Sequence, residues 1–344
     1  MILEALSNAV GVSGAEGAVR TLIKEAIAAH VDQMWVDNLG NLLAIKNGTG
    51  REALRVMVDA HMDEVGMMIT GHDSDGTLRF MTVGGIDARL LMGKGVVVGE
   101  KKIAGVIGGK PIHLLSSGES SRVEQVESLR IDIGAPDKET AKRHVKVGDR
   151  ATFNTIFQDL GPTCLGKAFD DRVGCAILVE LLRDEPYPYD LLASFSVQEE
   201  VGLRGAKVAG YRLDPDIVFA LEGTICDDLP KEEGEDVSPV TEIGKGPAIS
   251  FMDKRTIADP RLVRYLVAIA DDNEIPYQFR RTAQGGNDAG AIHISRSGVP
   301  SASVSVACRY IHAPAAICSK TDVNDAIRLM QAALRNLTPS VISR

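Results

Sequence analysis

Two adjacent carboxylates, Glu199 and Glu200, close the run Leu191-Leu192-Ala193-Ser194-Phe195-Ser196-Val197-Gln198. A mostly apolar run bounded by charge reads as a buried strand, at whose end two negative side chains are costly unless a cation meets them. A metal ion is the simplest such cation. Adjacent side chains leaving a strand point to opposite sides, so one glutamate can ligate a metal while the other reaches a bound water as general base. Taken alone, the pair is more simply a solvated strand end, and only partners elsewhere in the chain overturn that.

Such partners are present. His61 follows an apolar run at residues 55–60, Glu222 follows one at 217–221, and His312 comes shortly after one at 302–306; Asp170-Asp171 stands just ahead of a helix that begins near Val173. In a mostly parallel sheet the C-terminal strand ends share one edge, so these residues can converge although they span about 250 positions. Two histidines with several carboxylates make a mixed nitrogen and oxygen site suited to zinc, cobalt or manganese, and their number suggests two ions. Asp63, two residues after His61, lies on the same side of an extended chain and can hold the imidazole's other nitrogen. Singly, each has a plainer reading: a hydrogen-bonded structural histidine, or an Asp that caps a helix. His72, His113, His144 and His293 lack comparable company and are given no role.

The elements that must position these residues follow an α/β pattern. Helical periodicity at residues 2–8 and 14–30 precedes strand-like runs at 34–37, 41–45 and 55–60. From about 71 to 160 the texture changes to short β-like runs separated by Gly, Asp and Lys, with one helical stretch at 138–144 and a polar loop at 116–127. The α/β pattern resumes with a helix at 173–183, strands at 191–197, 216–221, 277–280 and 301–306, and helices at 261–273 and 322–337. The expectation is a mostly parallel sheet flanked by helices, formed by residues 1–70 and 161–344, with a β-rich, barrel-like domain inserted at 71–160.

Composition narrows the class of function. A 344-residue chain that is 44% hydrophobic and 25% charged has ample material for a buried core. A net charge of −9 and the lack of a Lys/Arg stripe exclude a nucleic-acid footprint. Five cysteines without a CxxC pair predict reduced, mostly buried thiols. With no signal-like start and no apolar run near 18 residues, the expectation is a cytoplasmic protein with no membrane partner.

Four segments carry a family resemblance: Asp59-Ala60-His61-Met62-Asp63-Glu64-Val65-Gly66, Lys167-Ala168-Phe169-Asp170-Asp171-Arg172-Val173-Gly174-Cys175, Gln198-Glu199-Glu200-Val201-Gly202-Leu203-Arg204-Gly205 and Gly285-Gly286-Asn287-Asp288-Ala289-Gly290. Together they resemble the M42 metallo-aminopeptidases, which include glutamyl aminopeptidases and the tetrahedral TET peptidases, over essentially the whole chain. The resemblance implies that Asp170 bridges two divalent metals, that His61 and Glu222 complete one site and Glu200 and His312 the other, and that Glu199 is the general base. It also implies a cis peptide between Asp170 and Asp171, a dimerisation role for the β-rich insertion, and a homo-oligomer, a dodecamer built from dimers. The activity implied is removal of N-terminal residues from short peptides, with a metal-bridging water as nucleophile. Two departures stand out: Glu222 occupies a position usually held by Asp, and Asn287 stands where Thr is expected. Asp288 reads equally as a capping residue after a tight Gly turn and is left out of the catalytic set. The competing readings are a related metal-dependent deacylase or amidohydrolase, and a metal-bound scaffold without turnover.

Overall fold

The computed structural model describes residues 2–114, 116, 118, 123–230, 239–281 and 285–343; the polar stretch 116–127 falls partly outside them. Its larger body is a mixed sheet in the order Gln33–Val36, Leu42–Lys46, Asp190–Ser196, Arg55–His61, Ile217–Cys226, Ser301–Arg309, Ala316–Ser319, Thr163–Gly166 and Gln158–Asp159. Four adjacent strands at its centre, Asp190–Ser196, Arg55–His61, Ile217–Cys226 and Ser301–Arg309, run parallel. A branch, Ala248–Ser250 with Gln278–Arg280, attaches to Ser301–Arg309.

Strand alternation sends successive side chains to two helical layers. Val56, Val58 and Ala60 join the core with the helices Gly17–Ile27, Phe169–Arg183, Pro260–Asp272 and Lys320–Asn336, whereas Met57 faces a smaller core with the helix Arg204–Leu213 and the short helix Ala289–Ile292. Phe169–Arg183 is the most deeply buried of these, with Val173, Cys175, Leu178 and Leu182 fully covered. All five cysteines are buried free thiols.

The expected β-rich region contains a closed six-stranded barrel, Gly66–His72, Leu78–Val83, Arg130–Asp132, Ile103–Gly108, Gly95–Val98 and Arg150–Phe153. Its interior is a core of its own, with Met67, Ile69, Phe80, Val96, Val98, Ile107, Ile131 and Phe153. The one helical stretch expected there is present as Lys138–His144, capped by the Asp137 carboxylate on Thr140 N–H.

Glu64 joins the two bodies. Its carboxylate accepts from Lys167 Nζ at 2.8 Å, Arg172 Nη2 at 3.2 Å, the barrel's Thr152 Oγ1 at 2.9 Å and Gly11 N–H at 2.9 Å. All three charged side chains are buried. Burial by itself would raise the Glu64 pKa, but the Lys167 and Arg172 charges outweigh it and hold the group below the usual glutamate range. Burial pulls Lys167 the other way, down to about 8, which still leaves the ammonium dominant at neutral pH.

Removing one partner from such a cluster leaves the others buried and uncompensated. Glu64→Gln should therefore cost about 3–5 kcal/mol, read as a fall in the denaturation midpoint. Because the folded-state pKa of Glu64 is depressed, its contribution is complete above the ordinary value of 4.5 and is lost as the pH falls through the carboxylate range. Wild type and variant should converge in stability on acidification; a constant difference down to pH 3 would contradict this account.

Candidate metal centre

Strand register brings the chemistry to one level. Ser196 pairs with His61 and Ala220 with Asp59, so Glu222 lies beside His61 in the parallel ladder; Glu222 pairs in turn with Ser305. Glu199 and Glu200 continue past the end of Asp190–Ser196, and His312 follows Ser301–Arg309 by three residues. Asp170 arrives from the start of Phe169–Arg183, where Asp170 and Asp171 are non-helical and their peptide bond is cis. Gly223 lets that backbone approach: a Cβ there would lie 2.8 Å from Phe169 O and 2.9 Å from Asp170 Cα.

Four of the sequence-derived residues meet around a fifth, Asp170. His61 Nε2 is 3.1 Å from Asp170 Oδ1 and 3.7 Å from Glu222 Oε2; His312 Nε2 is 3.3 Å from Asp170 Oδ2 and 3.4 Å from Glu200 Oε2. Asp170 thus presents one oxygen to each histidine. Asp171 also stands close to His61 and Glu222, but its oxygens are engaged, accepting from His61 N–H at 3.1 Å and Gly174 N–H at 2.9 Å. The second bond caps the helix, so the plainer reading of an Asp pair holds for Asp171 alone.

The histidines are held for ligation through Nε2. His312 Nδ1–H donates to Gly85 O at 2.9 Å, a carbonyl supplied from just beyond the barrel strand Leu78–Val83. His61 Nδ1 faces Asp63 Oδ1 at 3.4 Å. Asp63 also accepts from Glu199 N–H at 2.9 Å, Glu200 N–H at 3.2 Å and Ser13 Oγ at 2.6 Å, so one buried carboxylate orients both the first histidine and the glutamate pair.

Electrostatics point to a cation. Burial and the neighbouring carboxylates push Glu200 and Glu222 well above the usual range; burial, with Asp288 and Asp170 nearby, pushes Glu199 to about 8. Burial also opposes charge on the histidines, but the Asp170 contact overrides it and raises His61 well above and His312 to about 10. Glu200 Oε1 and Glu222 Oε1 are buried with no hydrogen-bond partner among the described residues. Two groups of donor atoms each lie within 4.8 Å of one another, His61 with Asp171 and Glu222, and His61 with Asp170 and Glu200, and a mixed imidazole and carboxylate set of this kind fits a divalent metal.

The cavity above this cluster has a volume of about 430 Å³ and is walled on its far side by Ser250, Arg280 and the turn Gly285, Gly286 and Asn287. Sequence reading did not single out Ser250 or Arg280, although both end short strands, the position that marks the other site residues. Asp288 is not the capping residue considered above. It makes no cap hydrogen bond and instead accepts from Ser196 Oγ at 2.5 Å, both groups being buried.

Comparison with known proteins identifies the family of this fold. The family described as M42 glutamyl aminopeptidase matches residues 40–329. The glutamyl aminopeptidase of Lactococcus lactis is 33% identical over 99% of this chain and 97% of its own. The lysyl aminopeptidase of Pyrococcus furiosus is 31% identical over 98% of this chain and 97% of its own. Among solved structures, the Pyrococcus horikoshii TET1 peptidase, which can assemble into a tetrahedron or a large octahedral shell, superposes with a TM-score of 0.86 at 35% identity, covering 97% of this chain and 98% of its own. With that match across most of its length, on the same sheet and barrel, this chain belongs to the M42 family of peptidases.

Proposed function

We propose that this protein is an aminopeptidase that removes residues one at a time from the N-terminus of short peptides, using two divalent cations, zinc, cobalt or manganese. The observation that carries this reading is Asp170, with one oxygen toward His61 and the other toward His312, while Glu222 stands beside the first imidazole and Glu200 beside the second. His61, Asp170 and Glu222 would hold one cation, and Asp170, Glu200 and His312 the other. Bound there, the pair supplies a Lewis acid and lowers the pKa of a bound water toward neutrality.

The chain's own groups then divide the work. Glu199 lines the cavity beside these ligands without belonging to either set. Its carboxylate accepts the proton of the attacking water and returns it to the nitrogen of the leaving amine. Asp63 keeps Glu199 and Glu200 in register with His61 through the two backbone N–H groups and the imidazole. The cavity of about 430 Å³ has room for the end of an extended peptide.

Self-association completes the reading. The inserted region carries Met81, Val106 and Val147 exposed, apolar side chains that a subunit contact would cover. We assign the inserted domain, residues 71–160, to dimerisation, with the dimers assembling into a closed dodecameric shell that admits short unfolded peptides.

Three measurements test these points. Metal-stripped protein should be inactive on unblocked peptides and regain activity with cobalt, zinc or manganese; N-acetylated peptides should stay intact, and their cleavage would favour a deacylase. Glu199→Gln should keep its metal and lose roughly two orders of magnitude or more in turnover, whereas Glu200→Gln should lose metal from one site. The reverse pattern of metal loss would exchange the two roles. Light scattering should give a particle near twelve copies of the 36.8 kDa chain, and a fully active monomer would contradict the shell.

A further inference from the structure

Beyond the strand Ala248–Ser250 the chain turns back on itself and presents an apolar tip that the mechanism does not use. Met252 and Ile257 form an isolated antiparallel bridge. Between them the Asp253 carboxylate accepts from Arg255 N–H and Thr256 N–H, both at 2.7 Å, so the turn is held rigid by its own hydrogen bonds. Its large side chains face solvent: Ile257 is 74% exposed, Phe251 50% and Met252 48%, with Lys254 and Arg255 on the surface between them. Apolar groups gathered in this way mark a surface that another body covers.

An aromatic row ties the tip to a groove on the same subunit. Phe251 packs on Phe279 with ring centroids 4.6 Å apart, and Phe279 meets Tyr277 edge-on at 5.6 Å. Tyr277 lines an open groove of about 790 Å³ together with Pro276 and the carboxylates of Glu242, Asp271 and Glu274, against one lysine, Lys245. The tip is apolar with two cations, and the groove is partly apolar with an excess of acids. Among the described residues none of the tip lines the groove, so the two complementary surfaces do not meet within one chain.

We infer that the tip at residues 251–257 docks into this groove on a second copy of the chain, head to tail, and that this contact joins dimers into the closed shell. The inference rests on the assembly proposed above. A dimer through the inserted domain sets one patch against its own copy around a two-fold axis; a tip-to-groove contact uses two different patches and makes a ring when the rotation closes. A closed shell built from dimers needs both kinds of contact. In the docked state Ile257 and Met252 leave water for Pro276 and Tyr277, while Lys254 and Arg255 come opposite the three carboxylates. Because the tip is already ordered, little conformational freedom is lost on docking.

The test is particle mass by light scattering for the wild type and its variants, with far-ultraviolet circular dichroism to confirm that each is folded. Ile257→Asp places a carboxylate in the contact and should lower the mass about sixfold, from roughly twelve copies of the 36.8 kDa chain to two. Lys254→Glu and Glu274→Lys each set like charges against each other, and at low ionic strength both should shift the particle toward dimers. The variant carrying both substitutions restores opposite charges across the contact and should return to the wild-type mass. An Ile257→Asp protein that keeps the full mass would overturn the inference and leave the shell intact. Its fall to monomers would also overturn it, since the tip would then belong to the dimer contact, as would a doubly substituted variant no larger than the single ones. A wild type no larger than a dimer would overturn both the inference and the shell.

Discussion

Four carboxylates and two imidazoles converge at one edge of a parallel sheet, and the excess negative charge there is the constraint on which the rest of the architecture depends. An ionised carboxylate taken out of water costs several kcal/mol unless charge or hydrogen bonds replace its hydration. Asp170 meets that condition through the two histidines, but Glu200 and Glu222 each leave an oxygen without a partner among the described residues. The fold accepts this arrangement because so much else is tied down around it. Asp63 anchors the glutamate pair through two N–H groups, Asp171 caps the helix behind Asp170, and Glu64 locks the barrel, the N-terminal segment and that helix together.

That division of labour among neighbouring acids is the structural lesson of the site. Asp170 and Asp171 are adjacent, yet one faces both histidines and the other serves only the backbone. Asp63 and Glu64 are likewise adjacent; one orients the site and the other joins two bodies. In the first pair Asp170 lines the cavity and Asp171 anchors the backbone behind it; in the second both carboxylates are buried and engaged, and each holds other groups in place. The barrel takes part as well, since Gly85 O fixes the tautomer of His312.

Much of this was legible in the sequence because strand ends in a parallel sheet have a recognisable form. The runs before His61, Glu199, Glu222 and His312 were long and apolar enough to mark buried strands, and placing their C-terminal ends together was enough to group the ligands. The helix Arg204–Leu213 escaped because Gly205 and Gly210 weaken its pattern. Its first glycine is required by packing, since a Cβ on Gly205 would lie 2.4 Å from Val197 O. The short strands Thr163–Gly166 and Ala316–Ser319 were not singled out in the sequence. Ser250 and Arg280 were invisible for a different reason: a Ser and an Arg at the ends of three-residue strands are ordinary, and only the register that sets them on the cavity wall gives them meaning.

The central claim is that two cations share Asp170. Anomalous diffraction from crystals grown with zinc or cobalt tests it most directly. The account predicts two peaks about 3.5–4 Å apart, one touching His61, Asp170 and Glu222 and the other touching Asp170, Glu200 and His312. A single peak, or a bridging position taken by Asp171 in place of Asp170, would contradict it.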